Sequence, residues 1–224
     1  MFLLDRWRRR WWRADPVALR SFDGRSPVTV ITGGSEGIGL ALALRFAKGG
    51  HDVLLIARGE AKLADAVAQI RAQSTVKVAT LTLDITAPDA TVKLDAKLAE
   101  LNAFCDLLIN NAGIGLSGDF SQHTATDIDR LLDLNVKALA RLTNHVLPGM
   151  RTRGRGGLLN IASLGGYMPG PYQALYYASK AFVISLTEAL AHENRGLGLR
   201  IGAEIALAIF EMHDKTVGGS GSQM

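Results

Sequence analysis

The sequence of 224 residues has a single cysteine, Cys105, and no run close to the roughly 18 apolar residues that a membrane-spanning helix requires. One thiol cannot form an internal disulfide, and the first residues show no apolar segment followed by the small-residue cleavage site of a secretory signal. We therefore expect a cytoplasmic protein whose membrane contact, if any, is peripheral. The histidines lack the spacing of metal ligands, so we expect surface or satisfied structural positions and no metal site. They are His51, His123, His145, His192 and His213.

A strong bias in composition is also missing, since 48% of the residues are apolar and 21% are charged. These values are near the average of globular proteins and exclude a fibrous or disordered chain. The length suits one sizeable α/β domain rather than two. The net charge of +4 is small but unevenly placed, because five arginines and all three tryptophans lie within the first thirteen residues.

Residues 1–26 form a basic, tryptophan-rich arm for which two interpretations stay open. On a helix, one face would carry Leu4, Trp7, Trp11 and Ala14, and another would carry Arg6, Arg10 and Arg13. That separation suits an anionic membrane surface or the groove of a partner protein. A disordered basic tail or a contact between subunits is the simpler interpretation. Because no basic stripe continues into the rest of the chain, we do not expect nucleic-acid binding.

From residue 28 onward, short β-branched apolar runs alternate with longer segments of helical periodicity. This alternation is typical of βαβ units and predicts a doubly wound parallel sheet in a single α/β domain over residues 27–210, with a flexible tail over 211–224. The predicted strands are 28–32, 51–57, 77–83, 106–109, 157–162 and 199–208. The predicted helices are 40–48, 60–73, 89–101, 127–151 and 176–193. In such a sheet, ligands bind beyond the carboxyl ends of the strands.

A glycine-rich turn follows the first predicted strand and leads into a predicted helix. Its glycines, Gly33, Gly37 and Gly39, have the spacing G-x-x-x-G-x-G. A helix start presents free N–H groups and the positive end of the helix dipole, and glycines let a pyrophosphate approach the backbone closely. The turn therefore predicts a dinucleotide site. A glycine-rich turn without a ligand remains the alternative on these residues alone.

Tyr176 and Lys180 stand four residues apart at the start of a predicted helix, so their side chains share one face. A nearby ammonium lowers the pKa of a tyrosine hydroxyl, ordinarily about 10, towards the range in which it exchanges protons efficiently. Ser163 ends the fifth predicted strand, where a hydroxyl is able to donate a hydrogen bond to a substrate oxygen. Tyr172 and Tyr177 have no cation four residues further on. Taken alone, such a pair is more often an exposed neighbour pair on a helix.

Five segments, in this order, resemble the motifs of the short-chain dehydrogenase/reductase family. They are Thr32-Gly-Gly-Ser-Glu-Gly-Ile-Gly39, Asn110-Asn-Ala-Gly113, Leu134-Asn135-Val136, Asn160-Ile-Ala-Ser163 and Tyr176-Tyr-Ala-Ser-Lys180. The resemblance covers residues 28 to about 205 and implies a Rossmann-like fold and an NAD(P)-dependent oxidoreductase. It implies that Tyr176 is the general acid/base, that Lys180 tunes it and binds the nicotinamide ribose, and that Ser163 orients the substrate carbonyl. It also implies that Asn135 holds a water of the proton relay.

The resemblance further implies that Asn111 and Gly113 close over the cofactor and that Asp84 lies near its adenine. The expected cofactor residues are Gly33, Ser35, Glu36, Gly37, Ile38, Gly39, Arg58, Asp84, Asn111, Ala112, Gly113, Tyr176 and Lys180. The apolar segment after Ser163, with Leu116 nearby, favours a hydrophobic ketone or acyl substrate. The expected substrate contacts are Ser163, Leu164, Tyr167, Met168 and Tyr176, with Pro169 beside them.

Two residues bear on the choice between NAD and NADP. Arg58 follows the second predicted strand, where an NAD-selective relative would place an acidic residue against the ribose hydroxyls. An arginine there is able to pair bidentately with a 2′-phosphate, so NADP is expected, with NAD as the alternative. Glu36 argues against NADP, because many NADP-preferring relatives carry a basic residue at that place. Arg58 as a solvated turn residue is the simpler alternative.

The chain departs from the family after the sixth predicted strand. The stretch 205–211 lacks the Pro-Gly pair and the threonine that hold the nicotinamide amide in such enzymes, and Glu204 places a charge in a strand expected to be central and buried. We expect the C-terminal lid and seventh strand to be missing or altered.

Oligomeric state and catalysis also remain expectations. The resemblance implies a homodimer or homotetramer, in which helices 127–151 and 176–193 form the dimer contact. The alternative function is a nicotinamide-nucleotide-binding protein without catalysis, acting as a sensor or an interaction module.

Overall fold

Six parallel strands run through the computed structural model, which describes residues 20–205. The strands are β1 (Ser26–Thr32), β2 (Val53–Ala57), β3 (Val78–Thr82), β4 (Ala103–Asn110), β5 (Gly156–Ala162) and β6 (Leu199–Ile205). Their order across the sheet is β3-β2-β1-β4-β5-β6, and every adjacent pair is parallel. This order reverses between β1 and β4, which is the switch point at which such sheets bind ligands. The predicted Rossmann-like doubly wound sheet is therefore confirmed.

The helices connect successive strands. They are α1 (Gly37–Lys48), α2 (Glu60–Arg71), α3 (Ala90–Glu100), α4 (Ala125–Leu132), α5 (Leu139–Arg153) and α6 (Ala174–Glu193). Short 3₁₀ turns occupy Phe120–Gln122 and Leu164–Tyr167, and a π-helical segment occupies Asp133–Ala138.

Both faces of the central strands are buried, which explains why β4 and β5 read as nearly continuous apolar runs. Side chains alternate between the faces with the period of two of a strand. Leu108 and Leu158 belong to a core cluster with α3 and α5, whereas Leu107 and Leu159 belong to a cluster with α1 and α2. The two clusters hold the sheet between two helical layers, and the carboxyl ends of its strands carry the loops of the site.

The predicted helix 127–151 follows a continuous helical path, but it is not one regular α-helix. Thr124 begins α4 with a capping box that includes Asp127, and the widened π segment Asp133–Ala138 separates α4 from α5. Hydrophobic periodicity cannot locate such a widening, because one wider turn displaces the apolar face by a single residue. Segments of this kind often occur at functional sites.

β4 begins three residues before the predicted strand, because Ala103 to Cys105 pair with the start of β1. The sequence places the charge of Glu204 in a strand that is expected to be central and buried. The structure gives different surroundings for this residue. Among the described strands β6 pairs only with β5, and Glu204 is partly exposed and takes part in an interaction. In the described residues, Glu204 is therefore neither fully buried nor without an interaction.

His51 corrects the expectation of surface or satisfied histidines. Its ring is buried against the edge of Phe46, and its Nδ1 lies 3.4 Å from Oγ1 of Thr29. Within residues 20–205 its buried Nε2 has no hydrogen-bond partner. Burial lowers the pKa of His51 to about 4, so the ring is neutral at physiological pH.

Several expectations fall outside the described residues. The basic arm up to residue 19 and the chain from residue 206, including the predicted end of the sixth strand and the tail, lie beyond them. No helix among residues 20–205 has the length and apolar character needed to cross a membrane.

A buried polar ladder ties the two central strands to α6. Asn110 Nδ2 donates to Oδ1 of Asn160 at 2.8 Å and to Oγ1 of Thr143 at 3.0 Å. Asn160 Nδ2 donates to Oγ1 of Thr187, also at 2.8 Å. Asn160 is fully buried, so each of these bonds replaces one that water would otherwise make.

Replacement of Asn160 by alanine should lower the free energy of unfolding by about 2–4 kcal/mol, because two hydrogen bonds are lost and buried partners on β4 and α6 stay unsatisfied. Urea denaturation followed by circular dichroism measures the change. Asn144→Ala, at an exposed position of α5, is the control and should change stability by less than about 0.5 kcal/mol. Equal stability of the two variants would contradict a structural role of the ladder.

Candidate active site at the carboxyl edge of the sheet

The turn between β1 and α1 requires glycine at three positions. Gly33 and Gly37 have positive φ angles of 64° and 54°, which side chains disfavour. A Cβ on Gly33 would lie 2.9 Å from Nδ2 of Asn111, and one on Gly39 would overlap the carbonyl oxygen of Gly33. The spacing noted in the sequence therefore reflects a tightly folded backbone that ends on a helix N-terminus.

Asn111 and Thr32 join this turn to the loop after β4. Asn111 Nδ2 donates to the carbonyl oxygens of Thr32 and Gly33, at 3.0 and 3.2 Å. The Thr32 hydroxyl oxygen accepts from the backbone N–H groups of Asn111 and Ala112, at 3.0 and 3.1 Å. Thr32 was not among the expected site residues, although its place at the end of a strand, directly before the glycines, is a signal for it.

A cavity of about 940 Å³ opens beyond β1, β2 and β4, at the switch point of the sheet. Nine of the expected cofactor residues line it, namely Gly33, Ser35, Glu36, Ile38, Arg58, Asp84, Asn111, Ala112 and Gly113. Four others do not line it, namely Gly37, Gly39, Tyr176 and Lys180. The cavity volume lies at the upper end of the range of about 300–1,000 Å³ for ligand pockets.

Charged side chains surround the end of the cavity near β2. Arg58 is exposed there, and Lys62, in the first turn of α2, forms an ion pair with Glu36. The carboxylate of Asp84 accepts from both the N–H and the hydroxyl of Thr86, and these bonds lower its pKa. Sequence reasoning missed Lys62, because no local pattern places a residue of α2 beside the glycine turn.

Tyr176 and Lys180 lie on the first turns of α6, as predicted. Lys180 is buried, and its Nζ donates to the carbonyl oxygen of Ile161 at 2.7 Å, which ties α6 to the end of β5. The ammonium lies 5.8 Å from the centre of the Tyr176 ring. Burial lowers the pKa of Lys180 to about 8. Ser163 stands at the end of β5, and its Oγ accepts from the N–H of Gly165 at 3.1 Å.

Asn135 lies in the π segment and joins it to two other parts of the site. Its Oδ1 accepts from the N–H of Ile114, and its Nδ2 donates to the carbonyl oxygen of the same residue, both at 2.9 Å. Nδ2 also donates to Oγ of Ser179, at 3.1 Å. The Ser179 hydroxyl donates in turn to the carbonyl oxygen of Tyr176, at 2.7 Å.

Gly113 is the point at which the cavity meets this group. A Cβ at Gly113 would lie 3.2 Å from Asn135 Oδ1 and 3.7 Å from Lys180 Nζ. Since Gly113 also lines the cavity, a ligand in the cavity comes close to the lysine and to the neighbouring tyrosine. The two predicted residue sets, from opposite parts of the sequence, therefore form one continuous site.

The two alternative tyrosines occupy other surroundings. The Tyr177 ring packs against the backbone of Gly165 and Gly170, where a Cβ would lie 3.1 and 2.5 Å from it. Tyr172 is 72% exposed and has a positive φ of 61°. Among the tyrosines of the described chain, Tyr176 is the one with its ring near the buried ammonium.

The segment after Ser163 exposes apolar side chains beside the site. Leu164, Tyr167 and Met168 are all exposed, and Pro169 and Tyr172 extend the same surface. The carbonyl oxygen of Tyr172 accepts from the N–H of Gly118, which connects this segment to the loop that follows Gly113. Exposed apolar side chains thus follow directly after Ser163.

Comparison with known proteins agrees with this architecture. A family profile described as short chain dehydrogenase matches residues 27–211. A very-long-chain 3-oxoacyl-CoA reductase of Bos taurus is 35% identical over 176 residues, which are 76% of this chain and 55% of that protein. The chain thus spans little more than half the length of this relative.

Two solved structures are similar over most of the chain. A short-chain dehydrogenase from Sphingobium yanoikuyae in complex with NADPH has 41% identity and a TM-score of 0.74, covering 79% of this chain and 69% of that one. A bulky-bulky ketone specific alcohol dehydrogenase from Comamonas testosteroni has 35% identity and a TM-score of 0.74, covering 80% and 72%. The family match and the shared fold lead to one conclusion: the chain belongs to the short-chain dehydrogenase family.

Proposed function

We propose that the protein catalyses reversible hydride transfer between NADP(H) and a carbonyl/alcohol pair of an apolar substrate. The observation that carries this proposal is the junction at Gly113, where the glycine-lined cavity meets Asn135 and Lys180. A cavity without the neighbouring tyrosine and ammonium would suit a binding protein. A tyrosine–lysine pair without the cavity would lack a source of hydride.

The residues present fit a dinucleotide. The space beside Gly37 is open, and the turn exposes the N-terminus of α1, where no side chain caps the free N–H groups. A pyrophosphate is expected against Ser35 to Gly39, and the adenine between Arg58 and Asp84. The ribose next to the nicotinamide is expected near Lys180. Within the described chain, Lys180 makes its single side-chain hydrogen bond to Ile161, so two of its three N–H donors remain for ribose hydroxyls.

Tyr176, Ser163 and Lys180 have separate roles in the proposed proton transfer. When bound, the nicotinamide supplies or takes up the hydride at the substrate carbon. In reduction, the Tyr176 hydroxyl gives its proton to the substrate oxygen while the Ser163 hydroxyl donates a hydrogen bond to the same atom. The Lys180 ammonium favours the phenolate that Tyr176 becomes. In oxidation, the phenolate takes the proton back from the alcohol.

Asn135 supports this group from the π segment. Its side chain is fully engaged by Ile114 and Ser179, so it holds the loop after β4 against α6. The water of the proton relay that the family resemblance implies belongs beside this residue and Lys180. Asn135 therefore positions the relay, whereas Tyr176 performs the proton transfer.

We infer an apolar substrate from the exposed apolar side chains of Leu164, Tyr167 and Met168. Similar proteins are named as reductases of very-long-chain 3-oxoacyl-CoA and as an alcohol dehydrogenase specific for bulky ketones. Both substrate types place a carbonyl next to bulky apolar groups. A ketone or 3-oxoacyl compound with a long apolar part is therefore the substrate class to test.

NADP is the proposed cofactor, with NAD as the alternative. Arg58 lines the cavity beyond β2, and no acidic residue stands in its place to accept bonds from ribose hydroxyls. The similar Sphingobium yanoikuyae structure contains NADPH. The alternative of a nucleotide-binding protein without catalysis gains no support from the site, because all four expected catalytic residues are present.

We expect a homodimer or homotetramer in which the π-containing helix pair α4 and α5, together with α6, forms the dimer contact. The single cysteine favours the cytoplasm, where thiols stay reduced. Contact of the basic arm with a membrane surface remains an expectation from its sequence.

A screen of carbonyl compounds with NADPH, followed by loss of absorbance, tests the function, and Tyr176→Phe tests its chemistry. The substitution keeps the ring and removes the proton donor, so turnover should fall by about 10²–10⁴-fold with little change in cofactor affinity. Tyr177→Phe is the control and should be nearly silent, because its ring packs against Gly165 and Gly170. Loss of turnover in the control alone would show that the assigned register is wrong.

Lys180→Met should impair both turnover and cofactor binding, because the ammonium serves the phenol and the ribose. Since the pKa of Lys180 is lowered to about 8, the wild-type side chain is charged below that pH and loses its charge above it. Cofactor affinity of the wild type should therefore weaken severalfold between pH 7 and 9 in fluorescence titrations. The variant should show weak affinity without this pH step. A step of the same size in the variant would exclude Lys180 as its source.

Arg58→Ala should weaken NADPH binding about tenfold or more and NADH binding much less, since only NADPH offers the 2′-phosphate. Dissociation constants of both nucleotides, measured side by side, give the ratio. Arg71→Ala, an exposed arginine at the other end of α2, is the control and should leave both constants unchanged. Equal losses for both nucleotides in Arg58→Ala would remove this residue from phosphate recognition.

A further inference from the structure

The ion pair of Glu36 and Lys62 lines the cavity together with Arg58, the residue expected to bind the 2′-phosphate. Lys62 Nζ donates to both carboxylate oxygens of Glu36, at distances of 2.8 and 3.0 Å. Glu36 directly precedes α1, and Lys62 lies in the first turn of α2, so the fold brings together two residues 26 positions apart. Both side chains line the cavity together with Arg58.

Glu36 on its own would oppose NADP. A carboxylate repels a 2′-phosphate, which carries close to two negative charges at neutral pH, and it is a good acceptor for the free ribose hydroxyls of NAD. This is the residue that argued against NADP in the sequence. In the structure, however, both of its oxygens accept from Lys62, and its charge is balanced.

We propose that Lys62 is a specificity-determining residue, which permits NADP binding by neutralising Glu36 and occupying its acceptor atoms. The inference rests on the proposed function only in taking a nicotinamide nucleotide as the ligand of the cavity. With Lys62 present, Glu36 neither repels the 2′-phosphate nor competes for ribose hydroxyls. Arg58 is then left to pair with the phosphate.

The charge balance around this end of the cavity supports the role of Lys62. Seven charged side chains line the cavity. Four of them, the cations Arg58 and Lys62 and the anions Glu36 and Asp84, come from the segments around β1, β2 and β3, and the others, Asp129, Arg130 and Asp133, come from α4 and the π segment. The charges of the first four cancel, and Arg58 contributes, after the hydrogen bonds from Thr86, to the lowered pKa of Asp84. Removal of the Lys62 ammonium leaves a net negative charge where a dianion must bind, and it frees the Glu36 oxygens at the same time.

The pair is also suited to mutation, because it contributes little to folding. The side chains of Lys62 and Glu36 are 62% and 67% exposed, and exposed ion pairs add little stability. Changes of nucleotide affinity in these variants therefore report on the site rather than on the fold. Thermal unfolding of each variant verifies this directly.

A double-mutant cycle tests the inference with Lys62→Met, Glu36→Gln and the combined variant. Dissociation constants for NADPH and NADH are measured for the full-length protein by the fluorescence of the reduced nicotinamide. Lys62→Met should weaken NADPH binding about tenfold, the scale expected of one charge close to a dianion in a partly solvated site, and should change NADH binding less than about twofold. Glu36→Gln should leave NADPH binding within about twofold of the wild type, because Lys62 already balances the charge of the carboxylate. In the combined variant, loss of the lysine should have little further effect.

Lys93→Met is the matched control. Lys93 forms an exposed ion pair with Asp89 at 2.9 Å on α3, away from the residues that line the cavity. This variant loses the same charge from the same kind of pair and should keep the wild-type preference. An equal loss of NADPH affinity in Lys93→Met would show that net charge, rather than the pair in the cavity, is responsible.

Two results would overturn the inference while leaving the proposed function intact. The first is a wild type that prefers NADPH and a Lys62→Met variant with unchanged affinities. The second is a loss of NADPH affinity that is as large in the Glu36→Gln background as in the wild type, because Lys62 would then act on the phosphate directly. A wild type that binds neither nucleotide would instead overturn the proposed function and this inference together.

Discussion

The site depends on the Asn135 side chain, which joins the loop after β4 to the π segment and to α6. Its amide forms a closed pair of hydrogen bonds with the backbone of Ile114 and a third bond with Ser179. A buried amide left without these partners would cost on the order of 1–3 kcal/mol. The loop is thereby held where a Cβ on Gly113 would lie 3.2 Å from Asn135 Oδ1 and 3.7 Å from Lys180 Nζ. The π segment is the local deformation of the helix in which Asn135 makes these contacts.

The position of Lys180 follows from the same framework. An ammonium is costly to bury, and here the cost appears as a pKa lowered to about 8. The carbonyl oxygen of Ile161, at the end of β5, accepts one of its protons and fixes the direction of the side chain. Because β5 and α6 are also joined through Asn160 and Thr187, the lysine is held between two elements that cannot move independently. The position and the lowered pKa of the Lys180 ammonium near Tyr176 therefore depend on tertiary packing as well as on the spacing of the two residues in the sequence.

The charged side chains at the opposite end of the cavity are less constrained by packing. Glu36, Arg58 and Lys62 are all exposed and lie on three different segments, so their arrangement costs the fold little. Substitutions at these exposed positions would therefore change the proposed nucleotide recognition with little effect on folding. The buried residues Asn135, Asn160 and Lys180 do not tolerate substitution in the same way. Loss of any of them would leave buried hydrogen-bond partners unsatisfied.

Local sequence by itself determined the alternation of strands and helices, the glycine turn and the pairing of Tyr176 with Lys180, because each depends on short-range spacing. Gly33 and Gly37 need positive φ angles, and Tyr176 and Lys180 need one helical turn between them. Only the tertiary structure decided the rest. One such feature is the π segment Asp133–Ala138, which interrupts the predicted helix. The others are the hydrogen bond between Asn135 and Ile114 and the ion pair of Lys62 and Glu36, which join residues far apart in the chain. Such contacts arise when parallel strands bring their carboxyl ends to one edge, and no periodicity within a single segment records them.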